Sequence, residues 1–378
     1  MAPRAEGLVL AARRVITTES TFAPGWLHVS GGRVDAVGAG EPPRTADLDL
    51  AGTVVPGFVD THVHGGGGAA FDGGHPDAVA RVVAAHRAHG TTTLLASLVT
   101  DTVEGLAASC ERLAALVDDG LVAGIHLEGP WLAPGQRGAH NAGLLREPTP
   151  ADVDRLLEAA RGHLRMVTMA PELGGADDAV RRFVAAGVVV AIGHTDATYD
   201  QARRALDAGA SVGTHLFNAM RGLHHREPGP VAALLEHPDA CVELICDGVH
   251  VHPAMLGLAA AAKPQRTVIV TDAMAAAGAA DDDYRLGGLD VTVRDGEARL
   301  PDGTIAGSTA TMAGSVRFAV HEAGLSLEDA VRAATATPAA LHGLGDVGAL
   351  RPGAHADLVV LDDDLAVTRV MHRGAWLT

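Results

Sequence analysis

Eight short apolar runs recur through the middle of the chain, and segments with helical periodicity separate them. The runs are TVVPGFVDTHVHGGGG (53–68), TTTLLASLVT (91–100), LVAGIHLEGP (121–130), LRMVTMAPE (164–172), VVVAIGHTDA (188–197), SVGTHLFNAM (211–220), ACVELICDGVH (240–250) and TVIVTDAM (267–274). Continuous apolar strands with helical crossovers are typical of a parallel sheet that is covered on both faces. Eight such units predict a (β/α)₈ TIM-like barrel.

A doubly wound open sheet is the alternative to a barrel. It would need a nucleotide-binding signature early in the chain. The glycine-rich stretch HGGGGAAFDGG (64–74) matches neither GxGxxG nor a P-loop, so it gives that alternative little support.

Both ends of the chain show a different pattern, in which apolar and polar residues alternate over short stretches punctuated by Gly and Pro. GLVLAARRVIT, GWLHVSGGRVDAVG and ADLDLAGTVV near the start, and ADLVVLDDDLAVTRVMHRGAWL at the end, are typical of strands. Neither piece is long enough to bury a core alone. We therefore predict one small β-sandwich built from residues 1–55 and 350–378, with residues 56–349 forming the barrel.

Two segments late in the sequence predict further secondary-structure elements. DDDYRLGGLDVTVRDGEARLPDG (281–303) predicts a hairpin inserted after the eighth run. SLEDAVRAATATPAALHG (326–343) is amphipathic, which indicates a helix that packs on the core or on a second subunit.

Composition excludes several classes of partner. The chain of 378 residues has a formal net charge of −17, which argues against binding to nucleic acid or to an anionic membrane. No apolar run approaches the ~20 residues of a membrane helix, and the N-terminus lacks the cleavage site of a signal peptide. Cys110, Cys241 and Cys246 have no CxxC spacing, so we expect free thiols in a reducing compartment. These features predict a cytoplasmic protein.

Potential metal ligands or acid–base groups end nearly every apolar run. They are His62 and His64, His126 and Glu128, His194 and Asp196, His215, Asp247 and His250, and Asp272. In a parallel barrel the carboxyl ends of the strands carry the chemistry. Alternate residues of a strand face the same side, so the first histidine pair is expected to point into the barrel mouth.

Six of these side chains are predicted to converge on one rim and to bind a metal. The six are His62, His64, Glu128, His194, His215 and Asp272. A mixture of histidine and carboxylate ligands suits Zn²⁺ or a similar first-row divalent ion.

The layout resembles the amidohydrolase superfamily, which has an HxH motif after strand one, histidines after strands five and six, an Asp after strand eight and a split sandwich. Many members bridge two metals with a carboxylated lysine. The single lysine here, Lys263, precedes the eighth run and would lie at the wrong end of the barrel. The bridging role would therefore fall to a carboxylate, and Glu128 in HLEGPWL is the candidate.

More local motifs resemble the N-acetylglucosamine-6-phosphate deacetylase family within that superfamily. They are HLEGPWLAPGQRGAH, GHTDATYDQ, THLFNAM, REPG, CDGVHVHP and TDAMAAAG, and the resemblance runs from about residue 54 to residue 350. It implies hydrolysis of the acetamide of N-acetyl-D-glucosamine 6-phosphate to D-glucosamine 6-phosphate and acetate, in amino-sugar catabolism or cell-wall recycling. The cofactor would be a divalent metal, Zn²⁺ by preference, with one or two ions per subunit.

The resemblance also implies roles for the metal-binding side chains. Glu128, His194 and His215 would bind the main ion. His62 and His64, with Glu128 bridging and Asp272 assisting, would form a second site. Relatives without the histidine pair hold a single ion, so this chain is grouped with those that can hold two. Asp272 would be the catalytic base that accepts a proton from water and then delivers it to the departing amine.

Substrate-binding roles follow from the same resemblance. His140 and His250 would hold the sugar, and backbone N–H groups at Asn218 and Ala219 would cradle the phosphate. Residues Ile305 to Met312 would form a loop over the acyl group, with Gly307 and Ser308 of this loop lining the site.

The phosphate would also need a cationic partner on this acidic chain. Arg226, assisted by His225, would bind the phosphate of the neighbouring subunit, which implies a homodimer. A guanidinium suits this task because its fork of donors matches phosphate oxygens.

Other functions remain open from sequence alone. A cyclic-amide hydrolase or a deaminase of the same superfamily would have no need for Arg226. A non-enzymatic relative that keeps the barrel for assembly or binding would typically lose metal ligands, whereas this chain retains all six.

Overall fold

The computed structural model describes residues 7–377, in which strands and helices alternate as the apolar runs predict. The strands are β1 (Leu8–Ile16), β2 (Thr21–Phe22), β3 (Gly25–Ser30), β4 (Arg33–Ala39), β5 (Leu48–Pro56), β6 (Phe58–Asp60), β7 (Gly65–Gly66), β8 (Ala69–Ala70), β9 (Thr91–Leu94), β10 (Ala96–Leu98), β11 (Ile125–Glu128), β12 (Leu164–Met169), β13 (Val189–Ile192), β14 (Val212–Gly213), β15 (Cys241–Ile245), β16 (Thr267–Val270), β17 (Asp283–Leu286), β18 (Leu289–Arg294), β19 (Glu297–Arg299), β20 (Leu358–Leu361), β21 (Val367–His372) and β22 (Ala375–Trp376). The α-helices are α1 (Pro76–Ala88), α2 (Val103–Asp118), α3 (Pro150–Ala160), α4 (Ala176–Ala185), α5 (Tyr199–Asp207), α6 (Gly229–Glu236), α7 (Pro253–Ala262), α8 (Met312–His321), α9 (Leu327–Ala333) and α10 (Ala336–Leu341).

The parallel strands form the predicted barrel. Strands β10 to β16 pair in sequence order, and β6 pairs with β9, which continues into β10 after one residue. The ring closes just beyond the first and last strands, where the amide of Asp272 donates to the carbonyl of His62 at 2.8 Å. A parallel bridge between Val63 and Ala273 lies beside that bond. A helix follows each of the eight barrel strands, so the (β/α)₈ prediction is confirmed.

The barrel strands are buried on both faces, as their continuous apolar sequences predict. One layer of the core lies between strands and helices, with Phe58, Ile125 and Phe183 fully buried in it. A smaller cluster, which includes Met166 and Val268, lies on the other face of the strands. Most side chains within the barrel strands are therefore apolar, and the polar side chains predicted to form the site lie at the strand ends.

The two ends of the chain pair as predicted. β5 runs antiparallel to β20, with Val55 opposite Val359, and the eight strands form one sheet in the order β22-β21-β20-β5-β1-β3-β4, with β2 on β1. The sheet folds back on itself, as the hydrogen bond from the amide of Val34 to the carbonyl of Ala354 at 2.9 Å shows. The sandwich is therefore a single folded sheet around its own apolar core.

Two segments differ from prediction. The insertion after β16 has three antiparallel strands, β17, β18 and β19, instead of a two-stranded hairpin. The late amphipathic segment is divided into α9 and α10, and Thr335 between them has non-helical angles of −137° and −81°. Pro338 explains the break, since it lacks the N–H that a continuous helix would bond to the carbonyl of Ala334.

Within residues 7–377, no helix combines the length and the apolar character that crossing a membrane requires.

Candidate active site

The six predicted metal ligands lie at the carboxyl ends of barrel strands, and all six are buried. His62 and His64 follow β6, Glu128 ends β11, His194 follows β13, His215 follows β14 and Asp272 follows β16. Residues separated by more than two hundred positions meet here because the parallel strands present their carboxyl ends on one rim.

Glu128, His194 and His215 form a first group of donor atoms. Oε1 of Glu128 lies 3.1 Å from Nε2 of His194 and 3.0 Å from Nε2 of His215, and the two Nε2 atoms are 3.1 Å apart. These atoms lie close enough together to hold one ion.

His62, His64, Glu128 and Asp272 form a second group. The Nε2 atoms of His62 and His64 are 3.1 Å apart, and Oδ1 of Asp272 lies 3.5 Å and 3.3 Å from them. Oε2 of Glu128 lies 3.1 Å from Nε2 of His64. Oε1 also lies 3.4 Å from Nε2 of His62, so the Glu128 carboxylate lies between the two groups, where a bridging ligand would be.

These separations fit a metal centre. Ligands at ~2.0–2.1 Å from a tetrahedral Zn²⁺ lie ~3.3 Å from one another, and the donor atoms in both groups are separated by similar distances. The donor set of histidine nitrogens and carboxylate oxygens is also one that Zn²⁺ accepts.

Partners on the outer nitrogen fix the tautomers of two histidines. Nδ1 of His64 lies 3.2 Å from the carbonyl of Ser97, and Nδ1 of His194 lies 2.8 Å from the carbonyl of Gln136. A carbonyl only accepts, so Nδ1 carries the hydrogen in both rings. In the neutral ring, Nε2 then presents its lone pair to the cluster centre.

Carboxylates dominate the electrostatics of the cluster. Burial opposes charge on the imidazoles, yet Glu128 and Asp272 hold the pKa of His62 well above its usual value and raise that of His64 to about 9. Burial likewise opposes charge on Asp272, but His62 and His64 lower its pKa to about 2. The carboxylates are therefore anionic and attract positive charge, which a divalent ion would supply.

Three of the six residues adopt a left-handed backbone, with φ of 48° at His194, 25° at His215 and 48° at Asp272. Such conformations cost about 1–3 kcal/mol each and persist where the surrounding structure enforces them. Here the strand ends are fixed by bonds such as that from Ala133 N to the carbonyl of His194 at 2.9 Å.

A cavity of about 320 Å³ opens onto the cluster. Of the predicted substrate residues, its lining includes His140, Asn218, Ala219, His250 and Gly307. Ser308 is buried outside this lining, and its hydroxyl donates to the carbonyl of Thr271 at 2.5 Å.

His225 and Arg226 do not line the cavity of their own subunit. Both are exposed, and Nη1 of Arg226 lies 2.7 Å from Nε2 of His225. The predicted contact with a neighbouring subunit thus remains a prediction.

Two histidines of the cavity have defined orientations. Nδ1 of His250 lies 2.6 Å from Oδ2 of Asp247, an interaction that raises the pKa of His250 against the effect of burial. Nε2 of His140 lies 3.3 Å from Oε2 of Glu128, and its Nδ1 lies 2.9 Å from the hydroxyl of Thr100. Burial lowers the pKa of His140 to about 4, so at neutral pH this ring is uncharged.

Besides Asp247 and His250, two further residues predicted at the ends of apolar runs lie outside both metal groups. His126 is hydrogen-bonded to the hydroxyls of Ser97 and Thr168 at 2.9 Å each, and burial lowers its pKa well below the usual value. Asp196 instead forms two hydrogen bonds with Arg221, at 3.1 Å and 3.0 Å.

Sequence reasoning missed Glu243. It lies within β15, is fully buried, and places Oε2 3.0 Å from Nδ1 of His62. The signal was present, because Glu243 is a carboxylate inside the apolar run ACVELICD, and buried charges require partners.

Asp60 is a second buried carboxylate near the cluster. Its Oδ2 accepts a hydrogen bond from the hydroxyl of Thr271 at 2.6 Å, which ties β6 to the end of β16. Burial raises the pKa of Asp60 to about 7.

Comparison with known proteins identifies the family and agrees with the fold. The model of the amidohydrolase family matches residues 53–377. The N-acetyl-D-glucosamine-6-phosphate deacetylase of Mycobacterium smegmatis, solved in complex with N-acetyl-D-glucosamine-6-phosphate, is 53% identical, with a TM-score of 0.96 over 98% of this chain and 99% of its own. An N-acetylgalactosamine-6-phosphate deacetylase of Escherichia coli O157:H7 is 38% identical over 97% of this chain and 98% of its own. The human N-acetylglucosamine-6-phosphate deacetylase is 39% identical over 86% of this chain and 84% of its own.

Proposed function

The chain belongs to the amidohydrolase family, and on that premise we propose that it hydrolyses the acetamide of N-acetyl-D-glucosamine 6-phosphate to D-glucosamine 6-phosphate and acetate. This reaction is a step of amino-sugar metabolism. The observation that carries the proposal is the pair of donor groups joined by Glu128 at the base of the cavity. An amide is a poor electrophile with a poor leaving group, and this arrangement addresses both difficulties.

Glu128, His194 and His215 would hold the main ion, and His62, His64 and Asp272 would complete a second site with Glu128. We propose Zn²⁺ as the ion, because the ligand types and their separations suit it. A divalent ion supplies Lewis acidity toward the acetamide carbonyl and toward the attacking water.

Asp272 is the proposed general base and acid. Its carboxylate belongs to the second donor group and also lines the cavity, so it faces both the ion and the substrate. It would take a proton from the attacking water and return it to the amine nitrogen as the C–N bond breaks. The proton thus moves from nucleophile to leaving group through one side chain.

His250 and His140 would orient the sugar. Asp247 fixes Nδ1 of His250, which leaves Nε2 for the substrate. A donor in that position can bind the acetamide oxygen as negative charge develops on it.

The phosphate would lie at the far end of the cavity, against the backbone of Asn218 and Ala219. The amide of Asn218 donates to the carbonyl of His215 at 3.0 Å, so the N–H of Ala219, whose φ is a left-handed 48°, is the one proposed to bind the anion. We propose that Arg226 and His225 of a second subunit complete this pocket in a homodimer. Their exposure on one subunit supports a role across an interface.

We also propose a cytoplasmic location. Cys110, Cys241 and Cys246 are all buried free thiols, as expected of a protein from a reducing compartment.

A substrate panel tests the proposed function. The purified enzyme, loaded with Zn²⁺, is assayed for acetate release from N-acetyl-D-glucosamine 6-phosphate, its C4 epimer N-acetyl-D-galactosamine 6-phosphate, and unphosphorylated N-acetyl-D-glucosamine. We expect the highest kcat/KM with the first compound, and the similarity to a galactosamine-type relative makes the epimer the critical comparison. Failure to release acetate from any phosphosugar would refute the proposal.

A further inference from the structure

Glu243 is a buried carboxylate for which the proposed mechanism has no use. It is 0% exposed, and among residues 7–377 the only side chain that pairs with it is His62. Oε2 lies 3.0 Å from Nδ1 of His62 and accepts from the amide of His215 at 3.3 Å, whereas Oε1 has no hydrogen-bond partner in the described part of the chain. Burial of a carboxylate that has one oxygen without a hydrogen-bond donor destabilises the folded protein unless positive charge lies nearby.

We propose that Glu243 is a positioning residue that determines whether the His62–His64 site binds a second divalent ion. The inference rests on the proposed metal centre. It assigns to Glu243 two effects, one on the orientation of a ligand and one on the charge of the site.

The first effect concerns His62. A carboxylate that accepts from Nδ1–H holds the imidazole in one tautomer and one orientation, and it makes the opposite nitrogen a stronger donor. Nε2 of His62 is the atom that faces Nε2 of His64 at 3.1 Å. Loss of Glu243 would therefore weaken the second donor group directly.

The same carboxylate is joined to the first group through the backbone. The amide of His215 donates to Oε2 of Glu243, and the amide of Leu216 donates to its carbonyl at 2.8 Å. Glu243 thus contacts the amide of His215 but the imidazole of His62, so a change of charge on its side chain would affect the metal-binding ring of His215 less than that of His62.

The second effect concerns charge balance in a buried site. The two carboxylates Glu128 and Asp272, both buried in the cluster, would balance the charge of one divalent ion. A second ion would add two positive charges to the same buried site. Glu243 is a further buried carboxylate, in contact with His62, that would offset part of this charge, so its burial would be favourable when both sites are filled.

The proposal is tested by metal binding in addition to turnover. Wild type, Glu243→Gln and Glu243→Asp are dialysed against buffered free Zn²⁺, and bound metal is measured by mass spectrometry over a range of free concentrations. Glu243→Gln keeps the size of the side chain but removes the charge. Glu243→Asp keeps the charge but withdraws it from His62.

Asp357→Asn provides a matched control. Asp357 is also a buried carboxylate beside a histidine, with Oδ1 3.0 Å from Nδ1 of His372, but it lies in the sandwich near β20. The substitution is therefore chemically equivalent and distant from the metal ligands.

We expect wild type and Asp357→Asn to bind two ions. Glu243→Gln should keep the first site and lose about 10- to 100-fold in affinity at the second, with Glu243→Asp between the two. A wild type that saturates at one ion, or a Glu243→Gln variant with unchanged second-site affinity, would overturn the proposal. Equal weakening of both sites would also overturn it, because it would indicate a general structural role.

If Glu243→Gln fails to fold, the Glu243→Asp titration decides the outcome. Unchanged second-site affinity in that variant would refute the effect on His62. Acetate release is measured on the same samples, so a protein that shows the expected metal binding but no deacetylation would refute the proposed function and leave the role of Glu243 intact.

Discussion

His194, His215 and Asp272 share a left-handed backbone that only the surrounding contacts maintain. Each follows a barrel strand and turns its side chain back over the barrel mouth. The barrel therefore maintains an energetically unfavourable backbone conformation at the positions where the donor atoms must converge. Because the backbone places each of these side chains, a conservative substitution can test the role of one side chain at a time.

Asp272→Asn is expected to retain metal and substrate binding but to lose turnover. The amide keeps the shape of the side chain and one oxygen for a metal, but it cannot accept the proton of the attacking water. We expect kcat to fall by about 10²–10⁴-fold. The measurement is kcat for acetate release, alongside metal content and affinity for a non-hydrolysable substrate analogue. A kcat near that of wild type would remove Asp272 from the proton-transfer role.

His342 is expected to make stability depend on pH below neutrality. It is buried after α10, and burial lowers its pKa to about 4. The unfolded chain, with a pKa of about 6.5, binds the proton more readily, so stability is lost as pH falls from about 6.5 toward 4. Between pH 7 and pH 5 the loss from this residue is about 2 kcal/mol.

Urea unfolding of wild type and His342→Gln at both pH values tests this expectation. The variant should lose less stability than wild type on acidification. Replacement of His321 by Gln is the control, because this side chain is exposed. An equal pH dependence in His342→Gln and wild type would contradict the assignment.

Among single residues, the sequence predicted the side chains that the structure brings together at strand ends, but it missed Glu243 inside β15. His62, His64, Glu128, His194, His215 and Asp272 were detectable because polar groups at the ends of apolar runs have few structural explanations. Glu243 escaped because its partner, His62, lies 181 positions away in the chain. Pairing of that kind depends on which side chains the barrel brings together.

The strand ends that carry these residues pack so closely that they leave little room for additional side-chain atoms. Gly193 immediately precedes His194, between β13 and the turn that aims the histidine. A Cβ at this position would lie 2.6 Å from Cβ of Thr214 and 2.8 Å from Cγ2 of Thr168. The neighbouring strand ends therefore approach β13 too closely for any side chain.

Gly193→Ala is accordingly expected to displace the turn and to weaken metal binding at the Glu128–His194–His215 group. Real Cβ atoms do not approach other atoms so closely, so the backbone must move, and a shift of about 1 Å can cost 10²-fold in rate. Zn²⁺ affinity and kcat are the measurements. Gly345→Ala is the control, because a Cβ there meets nothing within 4 Å. Equal metal affinity in both variants would show that the turn adjusts without loss.

Strands and helices could be predicted where the local pattern of apolar and polar residues determines them. The eight barrel strands follow from continuous apolar runs, and the pairing of β5 with β20 follows from two half-domains that cannot fold alone. The third strand of the insertion and the break between α9 and α10 were missed. Both depend on short local features, since β19 has only three residues and Pro338 lies inside an otherwise amphipathic segment.

For the molecule as a whole, the acidic charge and the phosphosugar substrate impose opposite demands. A chain of net charge −17 must supply local cations to hold a phosphate. The cavity lining contains no Lys or Arg among the described residues. A second copy of the chain, contributing Arg226, would meet that requirement, which a monomer cannot meet from its own cavity wall.

Arg226→Ala is therefore expected to raise KM for the phosphosugar far more than it lowers kcat. Loss of a charge-assisted hydrogen bond of about 1.5–3 kcal/mol corresponds to about 10- to 100-fold in kcat/KM. The unphosphorylated sugar should be unaffected, which separates phosphate binding from a general defect. The same loss with both sugars would instead indicate a structural role for Arg226.

Mixed dimers test whether Arg226 acts on its own subunit or on the neighbouring one. At low substrate concentration, Arg226→Ala is expected to lower the activity of its own homodimer by about 10- to 100-fold, and Asp272→Asn by about 10²–10⁴-fold. In a hybrid, the Arg226→Ala subunit retains Asp272 and would receive Arg226 from its partner, so one of the two sites is complete. Equal mixing with subunit exchange should restore about one quarter of wild-type activity at low substrate concentration. If Arg226 served its own subunit, every site in the hybrid would lack either Arg226 or Asp272, and mixing would restore no activity. Sedimentation of the wild type as a fully active monomer would also exclude the shared site.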